Sequence, residues 1–259
     1  MDSSIASSDS PPHLGLLRDE TILLRLLLGY CDDISRFSGP LSTKKLRKSM
    51  MRDVLFLGLD VDALQTQGDA IQQFHIGVSV IDTRSLKAVA ARSVDTTPTE
   101  VIESHHFVVG DSKFSRKKSN KFLFGRFEAV SLADLQGKLK TLTAHRDVVL
   151  VLHGGSRELW VLESVGINLQ PICVIDTVKA AQHPLQLSYR YSLERLLDEL
   201  GIPFNNLHSA GNDAHFVLRA VLMIAVRDAE RLLDASALPR WLPTFRAIAQ
   251  APLPCTGGD

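Results

Sequence analysis

The segment "DVLFLGLDV", residues 53–61, is apolar without interruption from Val54 to Leu59. A strand with one face in water alternates apolar and polar residues, whereas a strand covered on both faces is apolar throughout. This segment is therefore predicted to be a central strand with helices on both sides of its sheet. "DVVLVLHGG", residues 147–155, has the same pattern, and the two segments together favour an α/β fold.

Strand and helix patterns alternate along the rest of the chain. Three strands are predicted before the first long helix, and single strands and helices then follow in turn. This order indicates a mixed sheet, with three antiparallel strands plus parallel strands, flanked by helices. The remaining predicted strands lie at 74–83, 104–109 and within 171–181, and helices are predicted at 131–145, 156–166, 191–202 and from about Asn212.

The length of 259 residues suits one sizeable domain with extensions at both ends. Residues 1–50 are expected to be a disordered N-terminus that contains one short helix, ended by Gly29, and a basic linker. Residues 51–235 are predicted to be the α/β domain, and residues 236–259 a C-terminal extension.

Composition narrows the class of protein. The 29 Lys and Arg residues equal the 29 Asp and Glu residues, so the net charge does not indicate a nucleic-acid partner. A local basic patch can nevertheless be enough to bind nucleic acid. Three widely spaced cysteines form no disulfide framework or zinc pattern. The leucine-rich segment "TILLRLLLGYC" is short and interrupted by Arg25, so no membrane partner is expected. We expect an intracellular protein, cytoplasmic or nuclear.

Acidic residues follow two of the predicted strands. Asp60 and Asp62 close the first strand, and alternation along a strand points both carboxylates to one face. Glu158 lies in the first turn of the helix after the fourth strand. Such acids can bind Mg²⁺ or Mn²⁺, because hard cations prefer carboxylate oxygens. The alternative is a polar strand exit, with Glu158 on the surface near a helix dipole.

The turn "HSAGND", residues 208–213, precedes the last long helix. Polar residues at a helix start commonly cap free backbone N–H groups, which is one interpretation of His208 and Asp213. The other is chemical. Two cations about 4 Å apart, held by acids from separate elements, can stabilise the attacking and leaving oxygens of a phosphodiester. A neighbouring histidine can take the proton from the attacking water.

The order DxD, HxxxxE and HxAxxD resembles the DEDDh-type 3′→5′ exonucleases, which have a ribonuclease H-like fold. The sequence is most similar to a fungal branch, the DEDDh-like C-terminal-domain family, over roughly residues 52–228. The blocks that carry this resemblance are "IGVSVIDTRSL", "SHHF", "NKFLFGRFEAVSL", "VLESVGINL", "VIDT" and "LLDELGIPFNNLHSAGNDA".

The resemblance implies a ribonuclease H-like domain that removes nucleoside 5′-monophosphates from the 3′ end of RNA or DNA. Two Mg²⁺ or Mn²⁺ ions would be held by Asp60, Asp62, Glu158 and Asp213, and His208 would be the general base. The sequence does not distinguish RNA from DNA, because that depends on contacts to the 2′-OH.

Three positions depart from the family pattern. Asp62 stands where the family has Glu, Glu158 where it has Asp, and His75 where relatives often carry an acid. Each carboxylate swap keeps the charge and changes the reach by one methylene, and about 1 Å of misplacement can cost roughly a hundredfold in rate. The alternative function is therefore a catalytically impaired pseudonuclease that binds nucleic acid or protein. A DxD glycosyltransferase would explain neither His208 nor Asp213.

The segment 111–126 is rich in Lys and Arg, with phenylalanines between them. It is a candidate nucleic-acid contact, because cations can follow the phosphates while aromatic rings stack on bases. A solvated loop at the edge of the sheet is the alternative. His105 and His106 should point to opposite faces of their strand, and His215 is expected to face solvent or line the cleft. The residues proposed to contact nucleic acid are Lys117, Lys118, Lys121 and Arg126.

Overall fold

The computed structural model describes residues 15–33, 35–38, 51–68, 70–91, 101–110 and 121–254. Parts of the chain named in the sequence analysis lie outside the described residues. They are residues 1–14 of the expected disordered N-terminus, the basic linker at 39–50, most of the basic loop, including Lys117 and Lys118, and residues 255–259 of the C-terminal extension.

Six strands form one mixed sheet. They are β1 (Leu55–Gln67), β2 (Ala70–Asp82), β3 (Glu103–Val109), β4 (Phe127–Val130), β5 (Val148–Leu152) and β6 (Cys173–Asp176). Their order across the sheet is β4-β3-β2-β1-β5-β6. β2 is antiparallel to both β1 and β3, whereas β5 is parallel to β1 and to β6. The predicted α/β fold, with an antiparallel meander joined to parallel strands, is confirmed.

Helices cover both faces of this sheet. They are α1 (Asp19–Leu28), α2 (Thr83–Ala91), α3 (Leu132–Leu142), α4 (Ser156–Ser164), α5 (Thr177–Ala180), α6 (Leu193–Leu200), α7 (Ala210–Leu232) and α8 (Leu242–Ala249). Start and stop signals in the sequence mark several ends: Ser131 and Asp134 form a capping box on α3, and Gly201 ends α6 in the left-handed conformation. In the described part of the chain, no helix has the length and hydropathy to cross a membrane.

The sequence does not predict β4. This strand has only four residues, none of them fully buried, and it pairs in parallel with β3 at the edge of the sheet. An edge strand of this length carries too few apolar positions to show a period, so only tertiary pairing reveals it.

The core consists of two layers, one on each face of the sheet. On one face, Leu57 and Leu150 pack against α3 and α4. On the other face, Phe56 and Val151 pack against α7, and the apolar sides of α1, α6 and α8 complete that layer. Burial on both faces explains why β5 and the first part of β1, Leu55–Leu59, are apolar, as the sequence indicates.

Glycines allow the start of α7 to approach the sheet at backbone distance. A Cβ atom on Gly77 of β2 would lie 1.8 Å from the carbonyl oxygen of Ala210, and one on Gly58 of β1 would lie 2.6 Å from that of Ala214. Because real Cβ atoms do not come so close, only glycine fits at these two positions. The first turns of α7, which include Asp213, therefore lie directly on β1 and β2.

A buried ion pair fastens α1 to α7. Arg25 donates two hydrogen bonds to Asp228, at 2.7 and 2.8 Å, and the hydroxyl of Tyr30 donates a third at 2.9 Å. Asp228 is fully buried. These charge-assisted bonds satisfy the aspartate inside the core, where an unpaired charge would be strongly destabilising.

Candidate active site

Two aspartates lie where β1 leaves its regular course. Gly58, Asp60 and Asp62 alternate along β1 on the face that α7 covers. Directly after Asp62 the pairing with β2 shifts register, and Ala63 adopts a left-handed φ of 51°. The backbone N–H of Ala63 donates to Oδ1 of Asp62 at 2.6 Å. The two carboxylates thus lie on the α7 side of β1, beside the start of α7.

Glu158 reaches the same strand from the opposite layer. It lies in the first turn of α4 and is buried, with a relative exposure of 8%. Burial raises the pKa of its carboxyl group, and the backbone N–H groups of Glu158 itself and of Val61 oppose this rise by stabilising the anion. The contact with Val61 places the Glu158 carboxylate between Asp60 and Asp62 along the chain.

Asp213 and His208 belong to one turn at the start of α7. Asp213 is buried, and its Oδ2 accepts a hydrogen bond from the backbone N–H of His208 at 3.1 Å. His208 has a left-handed φ of 63°, and its side chain is exposed. In the described part of the chain, no hydrogen bond holds the imidazole itself. The turn therefore fixes the backbone of His208 while its ring stays accessible to solvent.

The four acids lie within electrostatic range of one another. The pKa of Asp60 is raised well above that of an ordinary aspartate, first by burial and then by the negative charges of Asp213, Glu158 and Asp62, in that order. The exposed Arg157 partly opposes this rise. Like charges raise the pKa of a carboxyl group only at short range, so β1, α4 and α7 bring their acids to one place.

The donor set of this cluster fits a hard divalent cation, because all four groups are carboxylates. Within the residues that the structure describes, however, no group of three or more His, Cys, Asp or Glu side chains is arranged to hold a metal ion. Three of these acids already accept hydrogen bonds from the backbone. Asp62, Glu158 and Asp213 each direct an oxygen at a backbone N–H group. A cation at this cluster would compete with those N–H groups for the same oxygens.

Comparison with known families agrees with this geometry. Residues 55–224 match the family described as DNA polymerase III subunit epsilon-like, C-terminal domain, with the short name DEDDh_C. The chain belongs to this family. Membership places it in the DEDDh exonuclease superfamily, as the sequence motifs indicate. No curated protein matches the chain significantly.

The matched residues of the DEDDh family domain include all four acids and His208. They also include a buried histidine pair whose role the sequence analysis missed. Nδ1 of His106 accepts from the backbone N–H of Gly211 at 3.4 Å, so its proton lies on Nε2, which donates to Nδ1 of His75 at 3.1 Å. Burial, and then the neighbouring His75, lower the pKa of His106 to about 4. Two neutral imidazoles therefore join β2 and β3 to the first turn of α7.

Two of the four basic residues proposed to contact nucleic acid lie within the described residues. Lys121 and Arg126 are exposed. Asn212, in the first turn of α7, donates to the carbonyl oxygen of Lys121 at 2.9 Å and accepts from the N–H of Leu123 at 2.9 Å. The segment that carries Lys121 is thus fastened to the turn that carries Asp213. Lys117 and Lys118 lie outside the described residues.

His215 does not face solvent or line the cleft, contrary to the expectation from sequence. It is 1% exposed, stacks on Phe124 with ring centroids 3.4 Å apart, and accepts from Nε of Arg219 at 2.9 Å. Its other nitrogen donates to Oγ of Ser104 at 2.8 Å. The residue lies on the β3 side of α7. It follows Asp213 by two positions, which is a little more than half a turn of an α-helix, so the two side chains point in different directions.

Asp176 has a structural role, and the expectation for His105 and His106 agrees with the structure. Asp176 caps the turn after β6, because its Oδ1 accepts from the N–H groups of Val178 and Gly154. His105 and His106 point to opposite faces of β3: His105 stacks on Phe107, whereas His106 is fully buried against His75.

Proposed function

We propose that the protein is a metal-dependent 3′→5′ exonuclease that hydrolyses the terminal phosphodiester of a nucleic acid. The observation that carries this proposal is the convergence of four carboxylates, from three separate elements, around Asp60. Clustered like charges in a recessed site are unfavourable unless a counter-ion joins them. A cluster that folding alone disfavours is best explained by a cationic ligand.

In this proposal, Asp60, Asp62, Glu158 and Asp213 hold two Mg²⁺ or Mn²⁺ ions. Divalent ions at such a site neutralise the charge that develops on the attacking and leaving oxygens. Each carboxylate supplies charge at a fixed position, because its residue belongs to a strand or helix of the core. The helix N-terminus at Asp213 adds a favourable dipole for negative groups.

His208 is proposed as the general base. Its ring is exposed, and its backbone is fixed by the bond to Asp213. It would accept a proton from water as the water oxygen bonds to the terminal phosphorus. The bond from phosphorus to the 3′ oxygen of the preceding nucleotide breaks, and this oxygen takes a proton from solvent water. The products are a nucleoside 5′-monophosphate and a strand with a new 3′-hydroxyl.

The departures at positions 62 and 158 are proposed to compensate each other. Asp62 is one methylene shorter than the family residue, and Glu158 is one methylene longer. The long side chain of Glu158 extends from α4 to the N–H of Val61 and so lies against the same strand as Asp62. Charge is kept at both positions, and the longer group approaches the space that the shorter one leaves.

A pseudonuclease that binds nucleic acid or protein without turnover is the second candidate. The observation in its favour is that, across the described ranges of the chain, no three metal-binding side chains are arranged as a ligand set. Hydrogen bonds from Ala63 and His208 to the acids would then be permanent parts of the fold.

The experiment that separates the two candidates follows a 5′-labelled single strand in the presence of Mn²⁺. We expect shortening from the 3′ end, and we expect Asp213→Asn and His208→Ala each to stop it. Asp213→Asn keeps an oxygen for the His208 N–H and removes only the charge. Strand that stays intact, with folded wild-type protein and Mn²⁺, would favour the pseudonuclease. Shortening that persists in both variants would show that another site or a contaminant is responsible.

A further inference from the structure

An exposed tyrosine, a half-buried tyrosine and an arginine form a cluster at the start of α6. The rings of Tyr189 and Tyr191 have centroids 5.1 Å apart. The guanidinium carbon of Arg195 lies 5.0 Å from the first ring and 4.5 Å from the second. Tyr189 is 47% exposed, and Arg190 beside it is exposed as well. The ring of Tyr189 therefore presents area to solvent, whereas Tyr191 packs in part against the core.

This cluster is attached to the end of β5, the strand next to β1, and β1 carries Asp60 and Asp62. In the parallel pairing of β1 with β5, Gly58 lies opposite Val151. Asp60 and His153 each follow two residues later, just beyond the last residue pair of β1 with β5. The imidazole of His153 donates to the carbonyl oxygen of Tyr191 and contacts Oγ1 of Thr177 at 2.9 Å. The tyrosine segment is thus joined through one side chain to the neighbour of Asp60.

The chemistry of the cluster limits what can bind there. Arg195 already occupies ring faces of both tyrosines, so its charge would repel a second cation from the same rings. A flat π-system can still stack on the exposed face of Tyr189. Arg190 and Arg195 would attract an anion attached to that flat group. A base with its phosphate has both properties, and an exposed aromatic face beside cations is the usual arrangement for single-stranded nucleic acid.

We propose that Tyr189 and Tyr191, with Arg190 and Arg195, form a stacking platform for unpaired bases of the substrate strand. The inference rests on the proposed function and adds its substrate class: single-stranded nucleic acid, or a single-stranded 3′ end. The platform receives bases near the end that reaches Asp60. Paired bases of a duplex do not offer their faces to such a platform, because they are stacked on one another.

The experiment measures binding of a fluorescein-labelled single strand by fluorescence anisotropy, with EDTA present so that no hydrolysis occurs. Tyr189→Leu removes the aromatic face, and we expect its Kd to rise about fivefold or more, in line with base–aromatic stacking. Tyr189→Phe keeps the ring and should bind like the wild type. Trp160→Leu is the matched control, since Trp160 is an aromatic residue of similar exposure, 45%, on α4.

Each outcome bears on the platform separately from the nuclease. Equal binding by Tyr189→Leu and wild type would contradict the platform and leave the exonuclease proposal standing. Equal weakening by Tyr189→Leu and Trp160→Leu would also contradict it, because the effect would be general. If the wild-type protein does not bind the single strand, the platform is wrong, and the Mn²⁺ shortening assay alone decides the exonuclease proposal. A blunt duplex should bind Tyr189→Leu and wild type equally, and a loss there would contradict base stacking.

Discussion

The carbonyl oxygen of Ala210 lies against Gly77 so closely that a Cβ atom on this glycine would be 1.8 Å from it. The contact joins β2 to the first residue of α7. Three positions further along α7 is Asp213, and the strand next to β2 carries Asp60. The absence of a side chain at residue 77 is therefore a condition for the two acids to share one site.

Gly77→Ala should both destabilise the fold and displace Asp213. Overpacking of a core typically costs about 1–3 kcal/mol, and a clash with backbone leaves little room for relaxation. The measurement is the urea midpoint of unfolding. Gly137→Ala is the matched control, because Gly137 is in the interior of α3 and a Cβ atom added there would have no other atom within 4 Å. That variant should be neutral or more stable by about 0.5–1 kcal/mol. Equal midpoints for the two variants would contradict the close approach.

Glu158→Asp tests whether the two departures from the family pattern compensate each other. Shortening Glu158 alone withdraws its carboxylate from β1, and we expect exonuclease activity to fall by about a hundredfold. Adding Asp62→Glu should recover most of that loss, because the longer group then comes from β1. The measurement is kcat/KM on a single strand for the two single variants and the double variant. A rise in activity with Glu158→Asp alone would instead show that the wild type is a decayed enzyme.

The buried histidines should make the fold sensitive to acid. Burial, and then the charge of Arg219, lower the pKa of His215 well below its ordinary value of about 6.5. As the pH falls through that value, the unfolded chain gains a proton that folded His215 does not, so stability is lost. The slope can reach about 1.4 kcal/mol per pH unit for one such group.

The variant His215→Asn should have a smaller slope of unfolding free energy against pH below 6.5, whatever its stability at pH 7.5. His145→Asn serves as the matched control, because it makes the same replacement at an exposed histidine. His106, whose pKa falls to about 4, continues the loss of stability down to that pH. An unchanged slope in His215→Asn would mean that His215 takes up its proton at the same pH in the folded and unfolded protein.

Much of the fold can be predicted from the sequence, because burial leaves a strong pattern. β5 and the first part of β1, Leu55–Leu59, are apolar since helices cover both faces, and α3 and α6 have capping residues at their ends. The location of Asp60, Asp62 and Glu158 follows from the rule that sites gather where strands end and helices start.

The remaining features depend on contacts between distant segments, which leave no local pattern. β4 is defined by its pairing with β3, and the His75–His106 pair by residues 31 positions apart. His215 has the polarity of a surface residue, and only the partners Ser104 and Arg219 make its burial favourable. The tyrosine platform depends on Arg195 lying over both rings, a contact that the spacing of these residues does not indicate.

The most direct test of the proposed site is anomalous diffraction from crystals of the protein soaked in Mn²⁺. We expect anomalous density bounded by Asp60 and at least two of the other three carboxylates, at about 2–2.3 Å from their oxygens. Asp62, Glu158 and Asp213 should turn from their backbone N–H partners toward that density. Crystals that contain Mn²⁺ but show no density among these acids would contradict the metal site, and with it the proposed exonuclease.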